Sequence, residues 1–249
     1  MKMQNNKIKV VAASVCGPMH KYCKLPCQDY FKHNLQGKNF IAVVSDGAGS
    51  AKYGKIGAKV ICNTLVDLLA NCSFDDIKKT VCHAIEVARK KLIRHRLNKS
   101  KSSEGIMDFS ATLLGVACYK GQGCFFHIGD GAGIALANNN YDKFVASRPE
   151  NGNFSCETFF YTMDDWKDSL RFTFFENIDT IFLMSDGLTN FAFSPDFSRI
   201  EKGFIAPINE FLNHVDSKNK AVRALNNTLN TPQAKKLNSD DKTLLWAKI

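Results

Sequence analysis

The sequence has no apolar run near the ~20 residues that a membrane-spanning helix needs. Its longest candidates, such as Ile41–Val44 and Ile181–Met184, are strand-sized. Its nine cysteines are odd in number and include no Cys-x-x-Cys pair, which argues against a disulfide framework and for a reduced, cytoplasmic protein. No cysteine opens a Cys-x5-Arg loop, so a phosphate-cradling cysteine nucleophile is absent. No Pro-, Gly- or Ser-rich linker divides the chain, and no solenoid-length repeat runs through it. The start, MKMQNNKIKVVAASVCG, has lysines and then an apolar stretch too short for a signal peptide, with Val15 a poor residue before a cleavage site. It reads as a first strand.

What is present is ordinary globular material: 249 residues, 45% hydrophobic and 23% charged, enough for one large domain or two small ones. Lys and Arg number 33 against 24 Asp and Glu, a formal charge of +9. That balance suits an anionic partner or a plain solvated basic surface, and the two readings carry equal weight. The basic residues concentrate in Lys78–Lys101, which holds no Phe, Trp or Tyr, and this weakens a nucleic-acid reading based on stacking.

Ile8–Val15 and Phe40–Ser45 read as strands. Helical spacing follows over Ile56–Cys72 and Asp75–Arg96, the second with Ile77, Val81, Ile85, Ala88 and Leu92 on one stripe and Ser73 as N-cap. Ser110–Cys118, Gly123–Ile128, Gly133–Ala137 and Tyr141–Ala146 form an expected meander, with a turn at Asn138–Asn140. Glu157–Met163, Leu170–Phe175 and Thr180–Ser185 continue the strands, Ile205–Val215 and Lys220–Leu229 are helices, and Thr243–Ile249 closes the order. Loops are expected at Lys99–Met107, Arg148–Ser155 and Thr231–Ser239. Because strands and helices do not alternate one by one, the order predicts antiparallel sheets with helices packed outside them.

Three segments share one grammar. FIAVVSDGAG, CFFHIGDGAG and TIFLMSDGLT each run an apolar strand into Asp-Gly, at Asp46, Asp130 and Asp186. Asp240 and Asp241 stand just before the strand TLLWAKI. One Asp-Gly is a common turn. Three of them after apolar strands, with a late Asp-Asp, point to carboxylates converging at one sheet edge. Such a set repels itself unless a cation joins it, and all-oxygen ligands suit Mg²⁺ or Mn²⁺. The glycine after each Asp is expected to permit a tight turn.

VVSDGAGSAKYGKIGA, DFSATLLGVACYKGQGCFFHIGDGAGIAL, IFLMSDGLTNF and SDDKTLLWA, with PCQDY upstream, resemble in order the motifs of the metal-dependent type 2C protein serine/threonine phosphatases, in a small bacterial stand-alone form. The resemblance runs in sparse motifs from Val10 to Lys248. It implies an α+β fold, a four-layer α-β-β-α sandwich of two mainly antiparallel sheets, in one catalytic domain over residues 8–249. It implies two Mn²⁺ or Mg²⁺ ions, with a third, weaker one. Asp46 would bridge two ions, the Gly47 carbonyl would bind one of them, and Asp186 and Asp240 would complete the shell of the second ion. Asp29 would act through water, and Asp130 would help hold the third ion. A water between the ions would attack phosphorus in phosphoserine or phosphothreonine. The expected partner is a phosphorylated protein made by a Ser/Thr kinase, with no membrane or nucleic acid, and the enzyme acting as a monomer.

The chain departs from the family pattern at several positions. Ala48 stands where the family has a general-acid histidine, and the usual phosphate-binding Arg near the N-terminal motif has no match. His20 occupies roughly that place, as a candidate phosphate contact or acid, beside the alternative of an ordinary loop histidine. Gln28 replaces a common Glu and Asp241 a common Asn, and the roles of Asp240 and Asp241 could be exchanged. Cys16, His20, Cys23 and Cys27 suggest a zinc site, a minority reading. Ser110 and Thr112 read as strand residues near the site, and Lys52–Gly57 as a helix start near it. The segment Gly187–Lys202, with its phenylalanines, reads equally as a flap or as a cover for the core. The competing functions are a non-catalytic relative that binds phosphoprotein or nucleic acid, and a phosphatase for a small metabolite.

Overall fold

Strict alternation along the strands sets the architecture. In β3 (Asn39–Ser45), Phe40, Ala42 and Val44 face one apolar layer, and Ile41 and Val43 face another. In β10 (Lys242–Lys248), Leu245 and Ala247 join the first of those layers while Leu244 and Trp246 enter a third. Strands with both faces buried can only be central layers, so the chain stacks helices, sheet, sheet and helices. The computed structural model describes residues 8–37, 39–97, 105–119, 121–150 and 158–249.

One sheet has the order β1 (Lys9–Val15), β10, β9 (Thr180–Met184), β6 (Ala132–Leu136), β7 (Phe144–Ser147). The other has β2 (Tyr30–Gln36), β3, β4 (Leu113–Tyr119), β5 (Gln122–Ile128), β8 (Arg171–Glu176). Every pairing is antiparallel. Phe40, Val44, Leu114, Val116, Phe125, Ile181, Leu183 and Leu245 fill the layer between the sheets. Helices α2 (Gly54–Leu69) and α3 (Ile77–Leu97) cover the second sheet through Ile61, Leu65, Val81 and Ile85. Helices α5 (Lys202–His214) and α6 (Lys218–Leu229) cover the first through Ile205, Leu212 and Leu225. The predicted stripe of α3, from Ile77 to Leu92, is buried throughout. Ser73 caps the turn before that helix, accepting from the Asp76 N–H at 3.3 Å.

Three expectations need correction. The meander is two hairpins in different sheets: β4–β5 lies in one and β6–β7 in the other. The chain crosses between them at Gly129, whose φ of +114° a side chain would strain. The Asn138–Asn140 turn is present, with φ of +52° and +57° at Asn138 and Asn139. From Phe159 to Met163 the chain forms turns and irregular structure instead of a strand, fastened to α3 by Arg89, which donates to Tyr161 O and Met163 O at 3.1 and 2.6 Å. The Thr231–Ser239 loop contains α7 (Pro232–Leu237), started by a Thr231 cap and Pro232. Strand β2 and the short helix α1 (Pro18–Tyr22) had no expectation at all. Residues 99–104 and 151–155 of the two other expected loops, and Glu157, lie outside the described residues.

Two buried polar groups tie layers together. Asn209 on α5 accepts from Trp246 Nε1 at 2.9 Å and donates to Asn139 Oδ1 and Tyr141 Oη at 2.9 and 3.0 Å. His127, fully buried on β5, meets Ser147 Oγ at 2.9 Å and Arg171 Nη2 at 3.3 Å through Nδ1. Arginine only donates, so the imidazole proton sits on Nε2. Burial, and then the Arg171 charge, hold this histidine well below its ordinary range.

Two predictions follow from these groups. Asn209→Leu strands the Trp246 indole N–H and lowers stability by about 1–3 kcal/mol, measured by urea unfolding followed through tryptophan fluorescence. The folded chain refuses the proton that unfolded His127 accepts below about pH 6.5. Stability is therefore lost as the pH falls below that value, and His127→Gln reduces the difference between midpoints taken at about pH 7.5 and 5.5.

Candidate active site

The strand registers bring the predicted acids to one end of the two sheets. Tyr30 pairs with Ser45, so Asp29 and Asp46 leave neighbouring strands side by side. Leu244 pairs with Met184, which sets Asp240 and Asp241 beside Asp186. Asp130 stands at the crossing between the sheets, where its Oδ2 accepts from Thr158 Oγ1 at 2.7 Å. Asp46 lies close to both Asp29 and Asp186, and Asp186 lies within reach of Asp130 and Asp240 as well. All five sequence-predicted carboxylates therefore share one neighbourhood.

The backbone holding them is fixed by hydroxyls. Thr112 Oγ1 accepts from the Asp46 N–H at 3.0 Å, the Thr112 N–H donates to Asp46 O at 2.8 Å, and the Ala48 N–H donates to Ser110 O at 2.9 Å. Thr112 and Ser110 thus support the site; the expected strand residues stand just before β4 instead, in the irregular stretch that leads into it. Ser185 was missed by the sequence reading. Its hydroxyl donates to Asp29 Oδ2 at 2.8 Å and accepts from the Thr243 N–H at 2.9 Å, linking both sheets under the acids. Its signal was the small polar residue before Asp186 in MSDG. Lys242, almost fully buried, was also missed; it donates to Asn238 O and Asp240 O at 2.7 and 2.9 Å and closes the turn before β10.

The acids are crowded and short of partners. Burial raises Asp29 to about 6, against hydrogen bonds that pull it down. Burial, with the charges of Asp130 and Asp240, raises Asp186 to about 7. Asp46 goes well above the carboxylate range, through burial and then its two acidic neighbours. Asp29 Oδ1 and Asp186 Oδ1 are buried with no hydrogen-bond partner. Among the described residues no three His, Cys, Asp or Glu side chains already stand as a closed ion cage. The carboxylates form a cluster in which each feels several others, and its unpaired oxygens suit a hard cation drawn between them, so the donor set fits Mg²⁺ or Mn²⁺. The same absence counts against the zinc grouping of Cys16, His20, Cys23 and Cys27, since His20 is turned to Asp241 instead.

Asp241 differs from its neighbours. It is fully buried, and its carboxylate is engaged by the Gly17 N–H at 2.7 Å, the Gln28 N–H at 2.6 Å and His20 Nδ1 at 2.8 Å. The Gln28 side chain, with its nitrogen toward the loop, donates to Gly47 O at 2.8 Å and Ala48 O at 3.1 Å. A glutamate there would set an anion against two carbonyl oxygens.

The glycines serve close approach and not turning. None of Gly47, Gly131 and Gly187 has positive φ. A Cβ on Gly47 would overlap the Gly54 backbone, one on Gly131 would lie 2.7 Å from Met184 O, and one on Gly187 would overlap Asp241 O. The start of α2 therefore abuts the Asp46 loop, as the Lys52–Gly57 reading expected. The Gly187–Lys202 segment covers the core: Phe193 is buried and its ring meets Phe144 and Phe197. The apolar groove lined by Phe204, Pro207, Ile208 and Leu225 contains none of the acids.

Comparison with known proteins places this geometry. The chain is 24% identical over a 262-residue alignment to serine/threonine-protein phosphatase 3 of Escherichia coli, covering 96% of this chain and 98% of that one. The structure of serine/threonine phosphatase Stp1 from Staphylococcus aureus superposes with a TM-score of 0.65 at 14% identity, over 98% and 96% of the two chains. The serine/threonine phosphatase of S. agalactiae gives 0.65 at 14%, over 98% and 100%. Both share the fold of two five-stranded sheets between helices. The family model described as protein phosphatase 2C matches residues 16–230, and the chain, with its acids at the sheet ends, belongs to that family.

Proposed function

We propose that residues 8–249 form one catalytic domain that hydrolyses phosphoserine and phosphothreonine in proteins, with two Mn²⁺ or Mg²⁺ ions as cofactors. The observation that carries this reading is the cluster of Asp29, Asp46, Asp186, Asp130 and Asp240, crowded together and at least partly buried, with two buried oxygens unpaired, in a chain whose relative is named a serine/threonine-protein phosphatase. A carboxylate cluster this crowded destabilises the metal-free fold, which is the mark of a site kept for chemistry.

Asp46, close to both Asp29 and Asp186, is suited to bridge two ions, with the Gly47 carbonyl beside it. Asp186 and Asp240 would complete the shell of the second ion, Asp29 would act through water, and Asp130 would help hold a third, weaker ion. Asp240 is preferred to Asp241 because the oxygens of Asp241 are already taken by Gly17, Gln28 and His20. Bound ions would supply an activated water and offset charge growing on the phosphoryl oxygens. The protein holds the acids with Ser185 and Thr112 so that they need not reorganise. The substrate is a phosphoprotein, product of a Ser/Thr kinase, met by a monomer in the cytoplasm.

Purified protein with Mn²⁺ or Mg²⁺ should hydrolyse 4-nitrophenyl phosphate and a phosphothreonine peptide, and EDTA should abolish both. Asp46→Asn and Asp186→Asn should each lower turnover by about 100-fold or more, yet raise the melting temperature of the metal-free chain by relieving buried like charge. Turnover that survives chelation or Asp186→Asn would sink the proposal. A folded chain that binds Mn²⁺ but turns over neither substrate would favour a phosphoprotein-binding role instead.

A further inference from the structure

Hydrolysis of a phosphorylated serine or threonine has a requirement that hydrolysis of a nitrophenyl ester lacks. The leaving oxygen belongs to an alkyl alcohol, whose anion is too basic to depart readily without a proton. Ala48 in the Asp46–Gly49 loop can supply none. We propose that His20 Nε2 delivers that proton, with Asp241 as the positioning residue behind it; the inference rests on the phosphatase reading above.

The pair is built into the fold. His20 lies on α1, which the Met19 N–H fastens to Ser239 O at 3.1 Å, so the ring is held against the turn before β10. Its side chain is 10% exposed and that of Asp241 is fully buried. The Asp241 carboxylate can only accept, so its 2.8 Å contact places a proton on Nδ1 and leaves Nε2 as the ring atom free to exchange one with a ligand. Nε2 points at the Asp46 loop: a Cβ built on Gly49 would meet it at 3.8 Å, with no other atom as near. Gly49 thus leaves the space before the ring open, where a larger side chain would fill it. An aspartate that fixes the tautomer and orientation of a histidine facing the reaction is an arrangement found on unrelated folds.

Other donors nearby are committed or poorly suited. Lys242 Nζ is spent on Asn238 O and Asp240 O. Ser110 Oγ donates to Met107 O at 2.7 Å. Burial raises the thiols of Cys16 and Cys27 above their ordinary range and makes them weaker acids.

The step balances. The oxygen of the attacking water forms the new P–O bond. The electron pair of the old P–O bond leaves on the serine or threonine oxygen, which takes the Nε2 proton of the doubly protonated ring and leaves a neutral imidazole with its remaining proton on Nδ1, facing Asp241. The proton given up by the water returns to the imidazole or to solvent, so one water is consumed and an alcohol and inorganic phosphate are released.

The test uses the whole chain with Mn²⁺ and a series of aryl phosphates from acidic nitrophenols to phenol, beside a phosphothreonine peptide. His20→Asn keeps a donor for Asp241 and lacks Nε2. It should lower kcat on the peptide by about 100-fold or more, lose far less on 4-nitrophenyl phosphate, and show a steeper dependence on leaving-group basicity than the parent. Mn²⁺ affinity by calorimetry should stay close to the parent value, and added imidazole should restore peptide turnover to His20→Gly. Equal losses across all leaving groups, or a loss explained by weaker Mn²⁺ binding, would overturn the proton-donor role while leaving the phosphatase intact. A parent chain that hydrolyses none of the substrates would remove both readings together.

Discussion

Like charges held out of water repel strongly, and this chain gathers five carboxylates where two sheets end. Most of the local structure is a response to that crowding. Ser185 reaches across from one sheet to hold Asp29 in the other. Thr112 and Ser110 grip the backbone on both sides of Asp46. Gly47, Gly131 and Gly187 bring neighbouring backbones closer than any side chain would allow. None of these contacts neutralises the acids. They fix the positions from which the acids face one another, the kind of rigid placement that the proposed ions would need.

Stability must come from elsewhere, and it does so from alternation. Three apolar layers run through the molecule because the central strands bury both faces, with Phe40 turned inward beside Ile41 turned outward and Leu245 inward beside Trp246 outward. Buried polar residues such as Asn209 then tie a helix layer to its sheet at a defined place. The site occupies the rim of this sandwich, where strand ends are rigid and apolar cover is thin.

The layers and the acids were legible because both are local signals. Apolar runs of strand length, helical stripes such as Ile77 to Leu92, and Asp-Gly at three strand ends can all be read within a few residues. What escaped were elements whose reasons lie far away in the chain. Strand β2 carries Lys32, His33 and Asn34 and sits at a sheet edge, so it lacks an apolar pattern. Helix α1 has five residues and is placed by Ser239. The split of the expected meander depends on which sheet each hairpin joins, and only the φ of Gly129 marks the crossing. The same holds for the contact of His20 with Asp241, which joins residues 221 positions apart. The glycines were placed rightly and explained wrongly, since turning is a local need and close approach is not.

Strand β10 lies between β1 and β9, yet it follows every other strand in the sequence. Until residues 242–248 arrive, β1 has no partner in the first sheet, and the turn that leads into them brings Asp240, Asp241 and Lys242 to the acids. During synthesis the earlier carboxylates can be in place while the site is still incomplete. A chain cut short before residue 240 has lost both a central strand and the anchor of the 17–28 segment. The strand that joins β1 to β9 and the residues that bring the last acids to the cluster are thus one segment, so pairing of the sheet and assembly of the cluster are coupled.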